Sequence, residues 1–114
     1  MRYMMMTKDS ANTAPSPEMY AEMGKLIEEM TRRGVLLATG GLLPNPTRIQ
    51  SSGGKMTVTD GPFTEAKEAV VGFALVEAKS KEEAIEISRR FWEVVGDGEG
   101  EIYQVFGPGE TPGG

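Results

Sequence analysis

Apolar residues recur along this chain at two periods. Met19, Tyr20, Met23, Leu26, Ile27 and Met30 keep the three- and four-residue spacing of one buried helical stripe. Glu18, Glu22, Lys25, Glu28 and Glu29 fall mostly off that stripe. Ser16 before Pro17 reads as an N-cap followed by proline at the first helical position, and Gly34 as the stop. A helix is therefore predicted from Pro17 to about Arg33. A second follows Ser80-Lys81-Glu82-Glu83, which has the spacing of a capping box. Its inner stripe is Ala84, Ile87, Ser88, Phe91, Val94 and Val95, and Gly96-Asp97-Gly98 ends it.

The other period is two. Residues 2–7 read as a short strand, with Tyr3 and Met5 on one face and Met4 and Met6 on the other. Val35–Thr39 form a second strand, closed by Gly40-Gly41. Thr47–Ser51 and Lys55–Thr59 flank Ser52-Gly53-Gly54 as a hairpin. Val70–Ala78 is apolar on both faces, with Val71, Phe73 and Leu75 on one and Val70, Ala74 and Val76 on the other. Such a strand is central and needs cover on each side. Glu101–Phe106 is the last strand. The final residues, 108–114, are too rich in Gly and Pro to order themselves and read as a flexible tail.

The order β-α-β, hairpin, β-α-β predicts an α+β fold of the ferredoxin-like, split-βαβ kind within a single domain, residues 1–107. Both helices would cover one face of one antiparallel sheet. Tyr3, Met5 and Tyr103 are expected to add apolar bulk to a face left bare, and a second copy of the chain is the simplest cover. Sheet on sheet would make a two-fold homodimer with a barrel-like interior.

Charge and composition narrow the chemistry. The 114 residues carry a net charge of −5, which argues against a nucleic-acid or acidic-membrane partner. The longest apolar run, Ala69–Val76, is far shorter than the ~20 residues of a membrane helix. The first residues turn polar by Thr7, too early for a signal peptide, so a cytoplasmic location is expected. The chain has no cysteine and no histidine. That removes disulfides, thiolate nucleophiles, a histidine base, and zinc held by His or Cys. No cofactor and no metal is expected; Asp97-Gly98-Glu99-Gly100-Glu101 lacks the spacing of a calcium loop. Gly40-Gly41 and Gly53-Gly54 read as turns, since neither has phosphate-loop spacing. Eight methionines would suit a dimer seam or a permissive apolar pocket.

The stretch Val58–Phe73, VTDGPFTEAKEAVVGF, carries the candidate chemistry. Asp60, Glu65, Lys67 and Glu68 fall within nine residues. Carboxylates crowded at a half-buried site push each other's pKa values apart and can supply an acid and a base without histidine. Asp60 and Glu65 are the candidate catalytic pair. Lys67, Glu68, Tyr3, Arg48 and Tyr103 are candidate ligand contacts in a pocket expected between sheet and hairpin, near the Asp60-Gly61-Pro62-Phe63 turn. The competing reading makes Asp60 a corner residue whose carboxylate caps the turn, with Phe63 anchoring it. Arg48 would then be an ordinary surface cation, Lys67 and Glu68 a solvated pair, and Tyr3 and Tyr103 core or interface aromatics.

Thr59-Asp60-Gly61-Pro62-Phe63, Glu65-Ala66-Lys67-Glu68, Gly72-Phe73 and the Ser80–Ile85 cap together resemble the DGPF branch of the YCII-related proteins. The resemblance covers roughly Arg2 to Phe106. It implies a dimeric α+β barrel. For activity it implies two directions. One is lyase or isomerase chemistry on a small cyclic or aromatic compound, since related proteins include a dehydrochlorinase of a chlorinated hydroxyquinol and the fold resembles muconolactone isomerase. The other is a small-molecule-binding or signalling module linked to a sigma-factor pathway, since genes of this branch often lie beside such factors. Two departures matter. The family's pocket His–Asp pair has no counterpart in a chain without histidine. The branch's Arg-Pro after the last-strand Glu is also missing, because Glu101 is followed by Ile102, Tyr103 and Gln104.

Overall fold

A computed structural model describes residues 1–8, 16–43, 45–61 and 70–110. Among these residues it is a mixed α+β structure with eight elements. They are β1 (Arg2–Lys8), α1 (Pro17–Arg32), β2 (Leu36–Gly41), β3 (Thr47–Ser52), β4 (Lys55–Asp60), β5 (Val70–Glu77), α2 (Lys81–Val95) and β6 (Gly100–Val105). Four strands make one antiparallel sheet in the order β2-β5-β1-β6. Both helices pack on one face of it. β3 and β4 form a separate two-stranded sheet.

The helix starts follow their caps. The Met19 N–H donates to Ser16 Oγ at 3.1 Å, and the Glu83 N–H to Ser80 Oγ at 3.2 Å. The return bond of the second cap lands one residue early: Glu83 Oε1 accepts from the Lys79 N–H, not from that of Ser80. The hairpin turns through Gly53 and Gly54, at φ 58° and 79°. Positive φ at both central residues matches the twist of the flanking strands and is cheap only for glycine or a few polar residues.

Register divides the sheet into rows. On the helix-covered face the first row is Leu36, Val76, Tyr3 and Gln104. The second is Thr39, Ala74, Met5 and Ile102, and the third is Gly41, Gly72, Thr7 and Gly100. The core lies under the first two rows. There Tyr3, Met5, Leu36, Ala74 and Val76 meet Leu26 and Met30 of α1 and Ala84 and Ile87 of α2, all buried. Across the helices, Arg90 holds the Glu29 carboxylate with both guanidinium nitrogens, at 2.5 and 3.2 Å. Arg33 adds a bond at 3.3 Å.

Among the described residues no element packs on the opposite face. Ala38, Leu75, Met4 and Tyr103 form one of its rows, and Gly40, Phe73, Met6 and Glu101 the next. Tyr3 and Met5 were expected on this side. They sit instead in the helix-covered core, 4% and 8% exposed, because strand alternation pairs them with Val76 and Ala74. Tyr103 does lie on the bare face and is 50% exposed. A bulge at Leu37 shifts β2 against β5, so Leu36 meets the core while Ala38 meets Leu75.

Every residue of the hairpin is exposed. Its register still gives it two faces. Thr47, Ile49, Ser51, Met56, Val58 and Asp60 share one, and Arg48, Gln50, Ser52, Lys55, Thr57 and Thr59 the other. Ile49, Met56 and Val58 are more than half exposed, so the apolar face is bare as well. Glu110, in the stretch predicted to be a loose tail, takes a hydrogen bond from the Gly107 N–H and an ion pair from Arg2.

Candidate functional site

The third row of the covered face carries three glycines and one threonine, so the sheet offers no side-chain bulk there. The facing helix segments do not descend to fill the space. A cavity of about 440 Å³ results, roofed by Tyr20, Met23, Gly24 and Ile27 of α1 and by Phe91, Trp92 and Val95 of α2. Thr7, Gly41 and Gly72 form its floor, with Met5, Thr39 and Ala74 from the next row. Its walls are largely apolar. The volume lies within the range of small-molecule sites, about 300–1,000 Å³.

Met6, Gly40, Phe73 and Glu101 also border the cavity. Register puts their side chains on the bare face, so the floor there is strand backbone. The Glu101 carboxylate pairs with Lys8 Nζ at 3.6 Å. Among the described residues the polar groups facing in are hydroxyls and an indole. Thr39 Oγ1 donates to the Phe73 carbonyl at 2.8 Å. A Cβ on Gly72 would meet Thr7 Oγ1 at 2.8 Å, so the Thr7 hydroxyl stands over that glycine. A Cβ on Gly100 would meet the Trp92 ring at 3.1 Å, so the indole lies across the end of the row. Gly72 and Gly100 thus let Thr7 and Trp92 approach the sheet.

Two other hollows are less enclosed. The hairpin bears a polar dimple lined by Gln50, Ser51, Ser52, Lys55 and Thr57, all of them exposed. A groove between the helices contains Glu22, Lys25, Glu29, Arg90 and Glu93. There the hydrogen bond from Arg90, helped by the charges of Arg90 and Arg33, holds the Glu29 carboxyl below its ordinary value against an opposing desolvation effect. Among the described residues no cluster of three or more acidic side chains is placed to hold a metal ion. No described helix is long and apolar enough to cross a membrane.

The candidates read from the sequence are scattered by the fold. Asp60 ends β4, exposed, and its Oδ1 accepts the Thr47 hydroxyl at 2.9 Å across the hairpin. The next residue, Gly61, donates its N–H to the Pro46 carbonyl at 2.9 Å. Arg48 projects from the other hairpin face. Tyr3 is buried, with its hydroxyl 3.9 Å from Met1 Sδ. Tyr103 is on the far side of the sheet from Tyr3, so the two rings do not converge within one chain. None of these four borders the cavity. Glu65, Lys67 and Glu68 lie outside the described residues. Trp92, Gly24 and Thr7 drew no attention in the sequence. The available signal was glycine inside strands, at Gly41 and Gly72, where a side chain would ordinarily pack.

Against this geometry two comparisons can be set. The family model of the YCII-related domain matches residues 1–107. A curated relative from Rhizobium meliloti (strain 1021), named only as an uncharacterized protein, is 34% identical over 67 residues. That alignment covers 56% of this chain and 54% of the relative, about half the length of each.

Proposed function

Because the chain belongs to the YCII-related family, we propose that it is a homodimeric small-molecule-binding module. The observation that carries this reading is the apolar cavity between the third row of the sheet and the loose ends of the two helices. β5, a floor strand, begins at Val70, seven positions after Phe63 in the sequence. The strand order supports a ferredoxin-like topology: β1 and β2 run parallel with β5 between them, and β5 and β6 run parallel with β1 between them. The bare face supports the dimer. Met4, Met6, Phe73, Leu75 and Tyr103 form a contiguous apolar surface, and a self-complementary two-fold contact would close it into a barrel.

Carboxylate acid–base catalysis on a small cyclic compound is the competing reading. Among the described residues its support is thin. Asp60 is exposed and engaged with Thr47, and the Glu101 side chain belongs to the opposite face. A non-catalytic receptor, coupled to a regulator such as a sigma-factor pathway, needs only the cavity.

Two measurements test the proposal. Sedimentation should give a dimer for the wild type and a monomer for Leu75→Glu. A wild-type monomer at micromolar concentration would overturn the assembly. In a thermal-shift screen of lactones, phenols and small acids, a true ligand at 100 times its dissociation constant adds about 2.7 kcal/mol of stability. Turnover of a hit, lost in Asp60→Asn with folding intact, would favour the enzyme instead.

A further inference from the structure

Gly24 is a glycine the fold does not require. It sits inside α1, where glycine costs about 1 kcal/mol relative to alanine. Its φ is not in the left-handed region. No close approach explains it either, since a Cβ there would meet nothing within 4 Å. Yet it lies on the stripe Tyr20, Met23, Gly24, Ile27 that roofs the cavity, and it is exposed. A residue that lines a cavity while facing solvent stands at its opening.

We propose that Gly24 is the entrance of the cavity and sets which ligands pass, and that the ligand is a flat, uncharged molecule of about two fused rings. The proposal rests on the small-molecule reading above and adds its chemical class. Size comes from the volume. About 440 Å³ is roughly three times the ~150 Å³ apolar cavity that takes benzene. Shape comes from the walls. Trp92 and Phe91 offer ring faces, and Gly41 and Gly72 leave a floor of bare backbone. Charge comes from the lining. Among the described residues the charged side chain at its border, Glu101, is turned to the other face by register and paired with Lys8. An ion buried among the remaining described groups would find no counter-charge in them and would lose its hydration. Thr7 and Trp92, whose side chains carry no hydrogen bond to another described residue, supply one polar contact each for a hydroxyl or carbonyl on the ring.

The full-length protein can be titrated with 2-naphthol and with 2-naphthoate, which has the same rings and a negative charge. Calorimetry gives the affinity. The single tryptophan gives one indole resonance, which reports the place. The expected result is that 2-naphthol binds and moves the Trp92 resonance, while 2-naphthoate binds at least tenfold more weakly. Gly24→Ala should fold, melt higher and bind 2-naphthol more weakly, and Gly24→Leu should bind it at least tenfold more weakly. Should Gly24→Leu fail to fold, Gly24→Ala carries the test, since its Cβ meets no atom. Unchanged affinity in these variants would overturn the role of Gly24. Equal or tighter binding of 2-naphthoate would overturn the uncharged class and leave the small-molecule reading standing. A Trp92 resonance unmoved by neutral and charged ring compounds alike would overturn both.

Discussion

At one end of the helix–sheet layer, Leu36, Val76 and Tyr3 stand under Leu26, Met30, Ala84 and Ile87, and none of these is more than 8% exposed. At the other end, Gly41, Gly72 and Thr7 stand under Tyr20, Met23, Gly24, Phe91 and Trp92, and a cavity separates them. The helices and strands are continuous from one end to the other. What changes is side-chain volume on the sheet, row by row, from leucine, valine and tyrosine to glycine. A full row fixes the helices by close packing, and the Glu29–Arg90 clasp sits across the helices that the row supports. A row of glycines leaves Phe91 and Trp92 half-buried above a floor with little side-chain bulk. Stability is thus concentrated at one end and room for a ligand at the other.

Truncation should expose the difference most sharply. Met30→Ala, at a site 2% exposed, should cost about 3 kcal/mol in urea unfolding. Met23→Ala, which already borders empty space, should cost about 1 kcal/mol or less. Equal costs would mean that the two ends are packed alike. The caps offer a second contrast of smaller size. Ser80→Ala should cost about 1 kcal/mol, because α2 begins over the packed rows. Ser16→Ala, at the start of α1 over the cavity end, should cost less in the same assay.

The smallest effect concerns pH. Arg90, with Arg33, holds the folded-state pKa of Glu29 below its ordinary value of 4.5. A depressed carboxyl pKa stabilises the fold above the unfolded-state value, and the gain is lost as pH falls through the folded one. Below about pH 4.5 the wild type should therefore lose melting temperature faster than Glu29→Gln. The pair is solvent-exposed, so added salt should shrink the difference. Parallel curves would mean that the clasp contributes nothing to folding.

The elements themselves were legible because each carries its own local chemistry. Ser16-Pro17 and Ser80 with Glu83 announce the helix starts, and Gly53-Gly54 the hairpin. The bareness of one sheet face could be counted from two helices and one doubly apolar strand. Which residues it carried could not, since Tyr3 and Met5 alternate equally well toward either side until β5 pairs with β1. The cavity was hidden for a related reason. Gly40-Gly41 reads as a turn and Gly72 as an interruption of an apolar run. Only the register that sets Gly41, Gly72, Thr7 and Gly100 side by side turns scattered glycines into one empty row. Asp60 and its charged neighbours stand out instead, because residue types crowd there in sequence. In space, Asp60 belongs to an exposed hairpin and answers to Thr47.

The central claim is that the covered face is filled at one end and open at the other. A crystal structure of the wild type under xenon pressure tests it most directly, since an apolar space of this size takes up the gas. The account predicts xenon between Trp92, Met23 and the Gly41–Gly72 floor, and none under Leu26 and Met30. Side chains of the chain itself packed into that space, with no xenon bound, would contradict it.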